Sequence, residues 1–243
     1  MPLAKRNLDD KRHFVIIGGG AAGLNCAETL RQSGFTGQIS LISREDVIPY
    51  DRTLLTKALP VGDAKSWSLR PPEYLKDADI DVFLKSRVYS INKSEKKVIL
   101  TDGTHVSYDK LCIATGSEVI KPEVQGIGSK NVHFLRTHQD QTDIKQKAAN
   151  AKSIVVVGAS FIGHESAASL AGKYGKEKDI HMICSGDGPL QNILGKEIGQ
   201  MLLKEHQDNN VKVHTNKTLK SIKADQDGNV TSVELSDGSL VEA

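Results

Sequence analysis

The sequence predicts an α/β fold of two similar units, each with a parallel sheet, a helix and an antiparallel β-meander. One observation is a continuous apolar run, typical of a strand covered on both faces, which leads into a glycine-rich turn and a helical pattern over residues 13–35. A second is the return of this plan over residues 153–175. A third is that strand-like segments with alternating polarity and Asp-Gly turns follow each copy.

Each copy is expected to form a βαβ unit with a right-handed crossover, because a second apolar strand, QISLIS or DIHMIC, follows each helical pattern. The first helix is expected to end at Gly34, since glycine favours helix C-termini. The apolar positions expected to face the sheets are Ala22, Cys26, Ala27 and Leu30 in the first helix and Ala159, Ile162, Ala167 and Leu170 in the second.

Composition excludes several classes of function. The formal net charge of +2 leaves no electrostatic footprint for nucleic acid or an anionic membrane. No apolar run reaches the roughly 18 residues of a membrane span, and residues 1–12 do not resemble a secretory signal. The three cysteines form no C-x-x-C pair and the eight histidines have no metal-ligand spacing, so we expect no redox dithiol and no metal site. A cytoplasmic or mitochondrial location is predicted.

The first glycine-rich turn has the pattern of a dinucleotide-binding site. Gly18 permits the tight turn, Gly20 lets the backbone approach a pyrophosphate, and Gly23 allows the helix to pack closely on the sheet. The helix then begins at about Ala21 and Ala22, whose N–H groups carry a partial positive charge that attracts phosphate. The turn therefore predicts a Rossmann-like dinucleotide site.

The acid that binds a ribose is expected about 20 residues further on, at the end of the second strand. Ser43 falls there, followed by Arg44 and Glu45, and Glu45 is the candidate for the ribose hydroxyls. Arg52 and Lys57, in IPYDRTLLTK, are either surface cations of a loop or a phosphate clamp and a cation near a redox ring. The pattern by itself leaves both interpretations open.

The second turn departs from the pattern at its middle position. Gly158 and Gly163 are in place, but Ser160 replaces the middle glycine and adds a Cβ where backbone should approach phosphate. Cys184 stands at the strand end where an acid is typical of NAD binding, so the ribose preference stays open. The predicted contacts of a nicotinamide nucleotide are Gly158, Ser160, Phe161, Ile162, Gly163 and Glu165.

Several motifs in order give the chain a family resemblance. It resembles the FAD- and NAD(P)-dependent pyridine nucleotide-disulfide oxidoreductases, in the branch of apoptosis-inducing factor and the ferredoxin reductases of oxygenase systems. NCAETLRQSGF and SLRPPEY are most similar to apoptosis-inducing-factor-like members that carry a Rieske domain. The motifs that carry the resemblance are GGGAAG, NCAETLRQSGF, PYDRTLLTK, ATGS, FLRT and GASFIGHE, which together span nearly all of the chain after residue 12.

The resemblance implies an FAD-binding domain interrupted by an NAD(P)H-binding domain, with electrons passing to an iron–sulfur protein of Rieske or ferredoxin type or to a quinone-like acceptor. It also implies that Lys57 and Glu165 pair beside the flavin and position it, while the flavin performs the chemistry. The FAD contacts it implies, together with those predicted above, are Gly18, Gly20, Ala21, Ala22, Gly23, Arg44, Glu45, Arg52, Lys57, Val88, Ala114, Thr115, Gly116 and Arg136.

The chain departs from the family in its sequence and at its end. Thr53 replaces a usual proline, His164 an apolar residue and Ser160 a glycine. Alignment of the two copies on Asp102-Gly103 and Asp237-Gly238 leaves the second without a counterpart of the strand Lys110–Ala114. We expect the open sheet edge to pair with another chain or to aggregate. The predicted parts are a solvated arm at residues 1–12, an FAD-binding domain at 13–122, a connector at 123–150 and an NAD(P)H-binding domain at 151–243, lacking its last strand.

Two hypotheses of function remain. The chain is an FAD-dependent NAD(P)H oxidoreductase or part of one, as the two ordered turns and the Lys57–Glu165 match indicate. Alternatively, it is a nucleotide-binding or interaction module without turnover, which Ser160, Cys184 and the missing strand favour. A disulfide reductase lacks its C-x-x-C pair here.

Overall fold

The computed structural model describes residues 3–243, which form two compact units. The first contains the residues up to Arg52 and Asp63–Glu118, and the second contains Thr53–Gly62 and Val119–Ala243. The elements in chain order are β1 (His13–Ile17), α1 (Ala21–Gln32), β2 (Gln38–Ile42), α2 (Leu54–Lys57), a 3₁₀ turn (Ala64–Trp67), α3 (Pro72–Asp77), β3 (Ile80–Phe83), β4 (Val88–Asn92), β5 (Lys97–Leu100), β6 (His105–Ser107), β7 (Lys110–Ile113), α4 (His138–Asn150), β8 (Ser153–Val157), α5 (Phe161–Tyr174), β9 (Asp179–Ile183), α6 (Gln191–Leu194), α7 (Lys196–Asp208), β10 (Val211–His214), β11 (Leu219–Ala224), β12 (Val230–Leu235) and β13 (Leu240–Glu242).

The first unit contains the predicted parallel sheet, in the order β3-β2-β1-β7. His13 lies opposite Gln38 and Phe14 opposite Lys110 in the two central pairings. An antiparallel meander of β4, β5 and β6 encloses a second apolar cluster together with Val15 and Ile17 of β1 and Ile42 of β2. The α/β class and the meander that follows the βαβ unit are thus confirmed.

Helix α1 buries a face that differs from the predicted one in its first turn. Leu24 and Ala27 are buried against the sheet, and Cys26 and Leu30 pack partly against the same cluster. Ala22, predicted to face inward, is exposed. The prediction was wrong there because the buried face of α1 runs through Gly23, Leu24, Ala27, Glu28 and Arg31, and Ala22 lies on the other side of the helix.

A fully buried arginine ties α1 to the rest of the first unit. The guanidinium of Arg31 donates to the carbonyl oxygens of Phe35 at 2.7 Å, Gly37 at 2.9 Å, Ala78 at 2.8 Å and Asp79 at 2.8 Å. A buried cation is tolerable only when its donors are satisfied, and each of these acceptors is a backbone carbonyl. Arg31 therefore fixes the loops before β2 and β3 against the end of α1.

The N-terminal segment, predicted to be solvated, is largely exposed but attached to this unit. Leu3 packs against the core, and the amides of Ala4 and Asn7 donate to the carbonyl oxygens of Arg31 and Thr36 at 3.0 and 2.8 Å.

The second unit repeats the plan with a parallel sheet in the order β10-β9-β8 and a meander of β11, β12 and β13. Within residues 3–243, β8 has no strand on the side where β1 pairs with β7, in agreement with the alignment of the two copies. Ala167 and Leu170 of α5 are buried as predicted, and Ala159 packs partly against their cluster. Ile162 is 56% exposed, so its predicted inward position was wrong, because it lies to one side of the buried face that contains Ala167 and Leu170.

Residues 53–62 belong with the second unit, although they lie within the sequence range of the first. Leu59 is buried in the core that contains Leu170 of α5. The side-chain amide of Gln141, on α4, donates to the carbonyl oxygens of Leu59 and Gly62 at 2.8 and 3.2 Å. Because these contacts join segments far apart in the sequence, the sequence placed residues 53–62 in the first domain rather than with the second unit.

No helix within residues 3–243 exceeds 14 residues, and none is both long and apolar enough to cross a bilayer.

We expect Arg31→Met to lower the free energy of unfolding by roughly 3 kcal/mol or more, because three buried carbonyl groups and the partly buried one of Asp79 lose their donor. Urea denaturation followed by circular dichroism measures this change. Arg12→Met, which removes an exposed cation paired with Asp10, is the matched control and should change the midpoint far less. Equal midpoints for the two variants would contradict the structural role assigned to Arg31.

Candidate functional site

The first glycine turn brings a strand and a helix closer than a side chain allows. Gly18 has φ +124°, and a Cβ there would lie 2.1 Å from the carbonyl oxygen of Ala114. A Cβ on Gly23 would lie 1.9 Å from the carbonyl oxygen of Gly18. At Gly20, apart from the residue itself and its two chain neighbours, nothing in residues 3–243 lies within 4 Å of the corresponding position. Gly18 and Gly23 therefore have structural roles, while Gly20 leaves open space.

This open space lies at the N-terminus of α1. Gly20 is the N-cap residue, and among the described residues no side chain caps the helix or places an acid in its first turn. The N–H groups at this end are not capped by a side chain and face open space, so they can bind an anionic phosphate. The arrangement fits the pyrophosphate of a dinucleotide, as the pattern predicts, and includes Ala21 and Ala22.

The carboxyl ends of three parallel strands meet at this turn. The amide of Gly18 donates to the carbonyl oxygen of Ile42 at 2.8 Å, and the amide of Ala114 donates to that of Ile17 at 2.8 Å. The segment from Ser43 to Glu45 follows β2, and Ala114, Thr115 and Gly116 follow β7. Predicted FAD contacts from distant parts of the sequence therefore lie at one edge of the sheet.

Glu45 is part of a polar cluster at this edge. Its carboxylate accepts from the Tyr50 hydroxyl at 2.9 Å and forms an ion pair with Arg52 at 2.6 Å. Arg44, the adjacent predicted contact, forms an ion pair with Glu118. The sequence indicated Glu45 and Arg52 as separate candidates. It indicated neither the ion pair between them nor the hydrogen bond from Tyr50, because no pattern specifies the geometry of the loop that joins these residues.

Val88 lies at the start of β4, where its side chain packs partly against the apolar cluster under β1 and β2. Two residues earlier, the amide of Ser86 donates to the carbonyl oxygen of Ser43 at 2.8 Å. The segment that leads into β4 therefore passes beside the end of β2. Since the Val88 side chain packs against the apolar cluster, a ligand at this edge would meet the backbone of Val88.

The second turn keeps the structural glycines of the first. Gly158 has φ +99°, and a Cβ on Gly163 would lie 1.9 Å from its carbonyl oxygen. Ser160, the N-cap residue of α5, has φ −81° and ψ −174°, close to the −97° and −175° of Gly20. Any residue adopts these extended angles without strain. The substitution thus falls at the one position of the motif where neither angle nor packing requires glycine.

The strand end after β9 offers no acid to a ribose. The amide of Gly158 donates to the carbonyl oxygen of Ile183 at 3.0 Å, as Gly18 does to Ile42, so Cys184 corresponds to Ser43 and Gly186 to Glu45. The Cys184 side chain is buried. Apart from Gly186 and its two chain neighbours, no described residue lies within 4 Å of a Cβ built on Gly186. The two turns therefore differ at the ribose position.

Lys57 and Glu165, predicted to pair, form an ion pair in the second unit at 3.0 Å. The Thr56 hydroxyl also donates to Glu165, and the Ser169 hydroxyl donates to the carbonyl oxygen of Lys57 at 3.0 Å. Burial raises the pKa of Glu165, but the hydrogen bonds from Thr56 and Lys57 outweigh it and hold this pKa below its usual value. The carboxylate is thus ionised and held in place at neutral pH.

The other predicted contacts in the second unit are spread along its elements. Phe161 and Ile162, in the first turn of α5, are half exposed. The amide of Arg136 donates to Asp140 at 2.9 Å, next to the capping box of α4. Lys57 and Arg136, predicted as FAD contacts, thus belong to the second unit, whereas the other predicted FAD contacts belong to the first.

Histidine pairs were missed by the sequence analysis. His206 is buried on α7, and its Nε2 lies 2.7 Å from Nδ1 of His164 on α5. On adjacent strands, His181 Nδ1 lies 2.9 Å from His214 Nε2. Among the described residues, no three His, Cys, Asp or Glu side chains are grouped to hold a metal ion. No sequence spacing signals these pairs, since each joins separate elements.

Comparison with known proteins gives one family. The family described as "Pyridine nucleotide-disulphide oxidoreductase" matches residues 12–243. The chain is 34% identical to human apoptosis-inducing factor 3 over 231 residues, which cover 95% of this chain and 37% of that protein. It is 34% identical to rhodocoxin reductase of Rhodococcus erythropolis, covering 95% and 53%.

A solved structure of similar fold is the ferredoxin reductase of the CYP199A2 system from Rhodopseudomonas palustris. Its TM-score is 0.88 at 30% identity, covering 96% of this chain and 57% of that one. The chain thus spans between about a third and somewhat over half of the length of these relatives.

We expect the stability of the second unit to fall as the pH drops from about 6.5 towards 4. Burial lowers the pKa of His206 to about 4, and the neighbouring His164 adds to the shift. Because the unfolded chain binds this proton at higher pH than the folded one, stability rises with pH across that window. The contribution of His206 is on the order of 3 kcal/mol.

Urea denaturation at several pH values, for the wild type and His206→Gln, measures this contribution as the difference between their pH slopes. His105→Gln, which alters an exposed histidine of β6, should keep the wild-type slope. Parallel slopes for wild type and His206→Gln would show that the buried pair does not set the pH dependence.

Proposed function

The chain belongs to the pyridine nucleotide-disulphide oxidoreductase family, and from this we propose that it takes part in FAD-dependent oxidation of NAD(P)H with transfer of electrons to an iron–sulfur protein. FAD and NAD(P)H, the cofactors predicted from the two turns, are those of the family. The observation that carries the proposal is the presence of two glycine turns of matching geometry, each with an open helix N-terminus, in separate compact units.

The first unit is proposed to bind FAD. The N–H groups at the start of α1 would hold the pyrophosphate, and Glu45 would accept from a ribose hydroxyl. Arg52 would add positive charge near the phosphates while it orients Glu45. Residues 114–116 and the backbone at Val88 would enclose the cofactor along the same edge of the sheet.

The second unit is proposed to bind the nicotinamide nucleotide at the start of α5 and to contribute the positioning pair. FAD, when bound, supplies hydride acceptance and single-electron release. Lys57 and Glu165 would keep a fixed cation and carboxylate near the reacting groups. Because Thr56 donates a further hydrogen bond, the carboxylate keeps its orientation, which supports positioning rather than proton transfer.

The acceptor is proposed to be an iron–sulfur protein of ferredoxin or Rieske type. The names of relatives support this choice, since rhodocoxin reductase and ferredoxin reductase are named for reducing electron-transfer proteins. A quinone-like acceptor remains the alternative. The expected cytoplasmic or mitochondrial location stays a prediction.

A module that binds nucleotide without turnover is the alternative function. The absence of an acid at the ribose position after β9, within residues 3–243, favours it. The ease with which Ser160 fits its turn argues against it. A visible spectrum before and after anaerobic NADH or NADPH separates the two, because only the oxidoreductase bleaches bound flavin.

We expect Lys57→Ala to slow flavin reduction by NAD(P)H by about 10- to 100-fold, since Glu165 loses its cation and the reacting groups lose their fixed position. Stopped-flow absorbance under anaerobic conditions gives the rate. Lys93→Ala, in the exposed turn after β4, is the matched control and should reduce at the wild-type rate. A wild-type rate in Lys57→Ala would remove the positioning role from this pair.

We expect Gly186→Glu to shift the ratio of kcat/KM for NADH over NADPH at least about tenfold towards NADH. A carboxylate at this position would accept from the 2′-hydroxyl of NADH and repel the 2′-phosphate of NADPH. Gly172→Glu adds the same charge on an exposed part of α5 and should leave the ratio unchanged. If both variants keep the wild-type ratio, Gly186 does not face the ribose.

A further inference from the structure

Glu45 is held at both of its carboxylate oxygens. Oε1 lies 2.6 Å from a guanidinium nitrogen of Arg52, and Oε2 accepts from the Tyr50 hydroxyl at 2.9 Å. The Glu45 side chain is only 15% exposed. A carboxylate with two oxygens has about four sites for hydrogen bonds, so these two partners leave capacity for a ligand hydroxyl.

The direction of each hydrogen bond in this cluster is determined by chemistry. A guanidinium only donates and an ionised carboxylate only accepts. The Tyr50 hydroxyl, which lies 2.8 Å from the other terminal nitrogen of Arg52, must therefore accept from Arg52 and donate to Glu45. Tyr50 thus links Arg52 to Glu45 with a single direction of hydrogen bonding.

Tyr50 is itself fixed by the fold. It is 3% exposed and forms an isolated antiparallel bridge with Ser68. On either side of it, the amide of Leu69 donates to the carbonyl oxygen of Pro49 and the amide of Asp51 to that of Trp67, each at 2.9 Å. The Arg52 guanidinium lies 4.9 Å from the centre of the Tyr50 ring. The hydroxyl therefore occupies a set position before any ligand arrives.

We propose that Tyr50 is a positioning residue for FAD, which acts through Glu45 by holding its carboxylate in the orientation that accepts from the adenosine ribose. The inference rests on the proposed function, since it requires FAD to bind the first unit. A side chain ordered in advance loses little conformational freedom on binding, so loss of the Tyr50 hydroxyl weakens binding without removing a direct contact.

The test is a double-mutant cycle on FAD affinity, followed by quenching of flavin fluorescence in the 243-residue chain. Tyr50→Phe keeps the ring and removes the hydroxyl, and we expect about tenfold weaker binding of FAD. Glu45→Gln should weaken binding at least as much. The double variant should bind no more weakly than Glu45→Gln alone, because Tyr50 then has no carboxylate to orient. Tyr89→Phe, on a residue that is 78% exposed, is the matched control.

The outcomes separate this inference from the proposed function. If wild type binds FAD and Tyr50→Phe binds it equally well, the positioning role is overturned and the proposed function stands. The same conclusion follows if Tyr50→Phe lowers the affinity for FAD as much in the Glu45→Gln background as in wild type. If Glu45→Gln binds like wild type, the role is also overturned. If wild type does not bind FAD, the proposed function fails at the first titration. Thermal melting of each apoprotein shows that the variants fold.

Discussion

The close approach of a helix to the end of a strand, made once in each unit, is the constraint on which the candidate sites depend. A Cβ at Gly23 would lie 1.9 Å from the carbonyl oxygen of Gly18, and a Cβ at Gly163 would lie 1.9 Å from that of Gly158. Each helix therefore needs glycine at this position to begin so close to its strand. That position places the helix N–H groups over the carboxyl edge of the sheet. The residues that follow the neighbouring strands are then brought to the same place, whatever their distance in sequence.

The two copies share this backbone but differ in charge. After β2, Glu45 is held by Arg52 and Tyr50, whereas after β9 the corresponding residue is Gly186 and the strand end is a buried cysteine. The second unit instead carries the ion pair of Lys57 and Glu165 on α2 and α5. The two units therefore share a glycine turn that suits phosphate and differ at the strand end, where side chains set the ribose selectivity of dinucleotide sites.

Much of the fold and part of the site could be predicted from local patterns. Apolar runs, turn glycines and Asp-Gly pairs predicted the strands, both turns and the meanders. The inward positions assigned to Ala22 and Ile162 were wrong because apolar residues occur on more than one side of these helices, so their spacing does not single out the buried face. Tyr50 was missed because the pattern does not indicate how the loop after β2 folds, and the pair of His164 with His206 was missed because it joins separate helices.

The sequence by itself determined the two glycine turns, the strands before them and their order, whereas the lysine–glutamate pair was expected only from the family resemblance. The turns and strands rest on short-range requirements, since a left-handed turn at Gly18 or a buried strand is specified by a few neighbouring residues. Only the tertiary structure decided that residues 53–62 belong with the second unit, that Ser160 fits its turn, and that Tyr50 joins Glu45 to Arg52. The first depends on packing between segments far apart in the chain, and the other two depend on the backbone geometry of a turn and of a loop, which residue patterns do not specify.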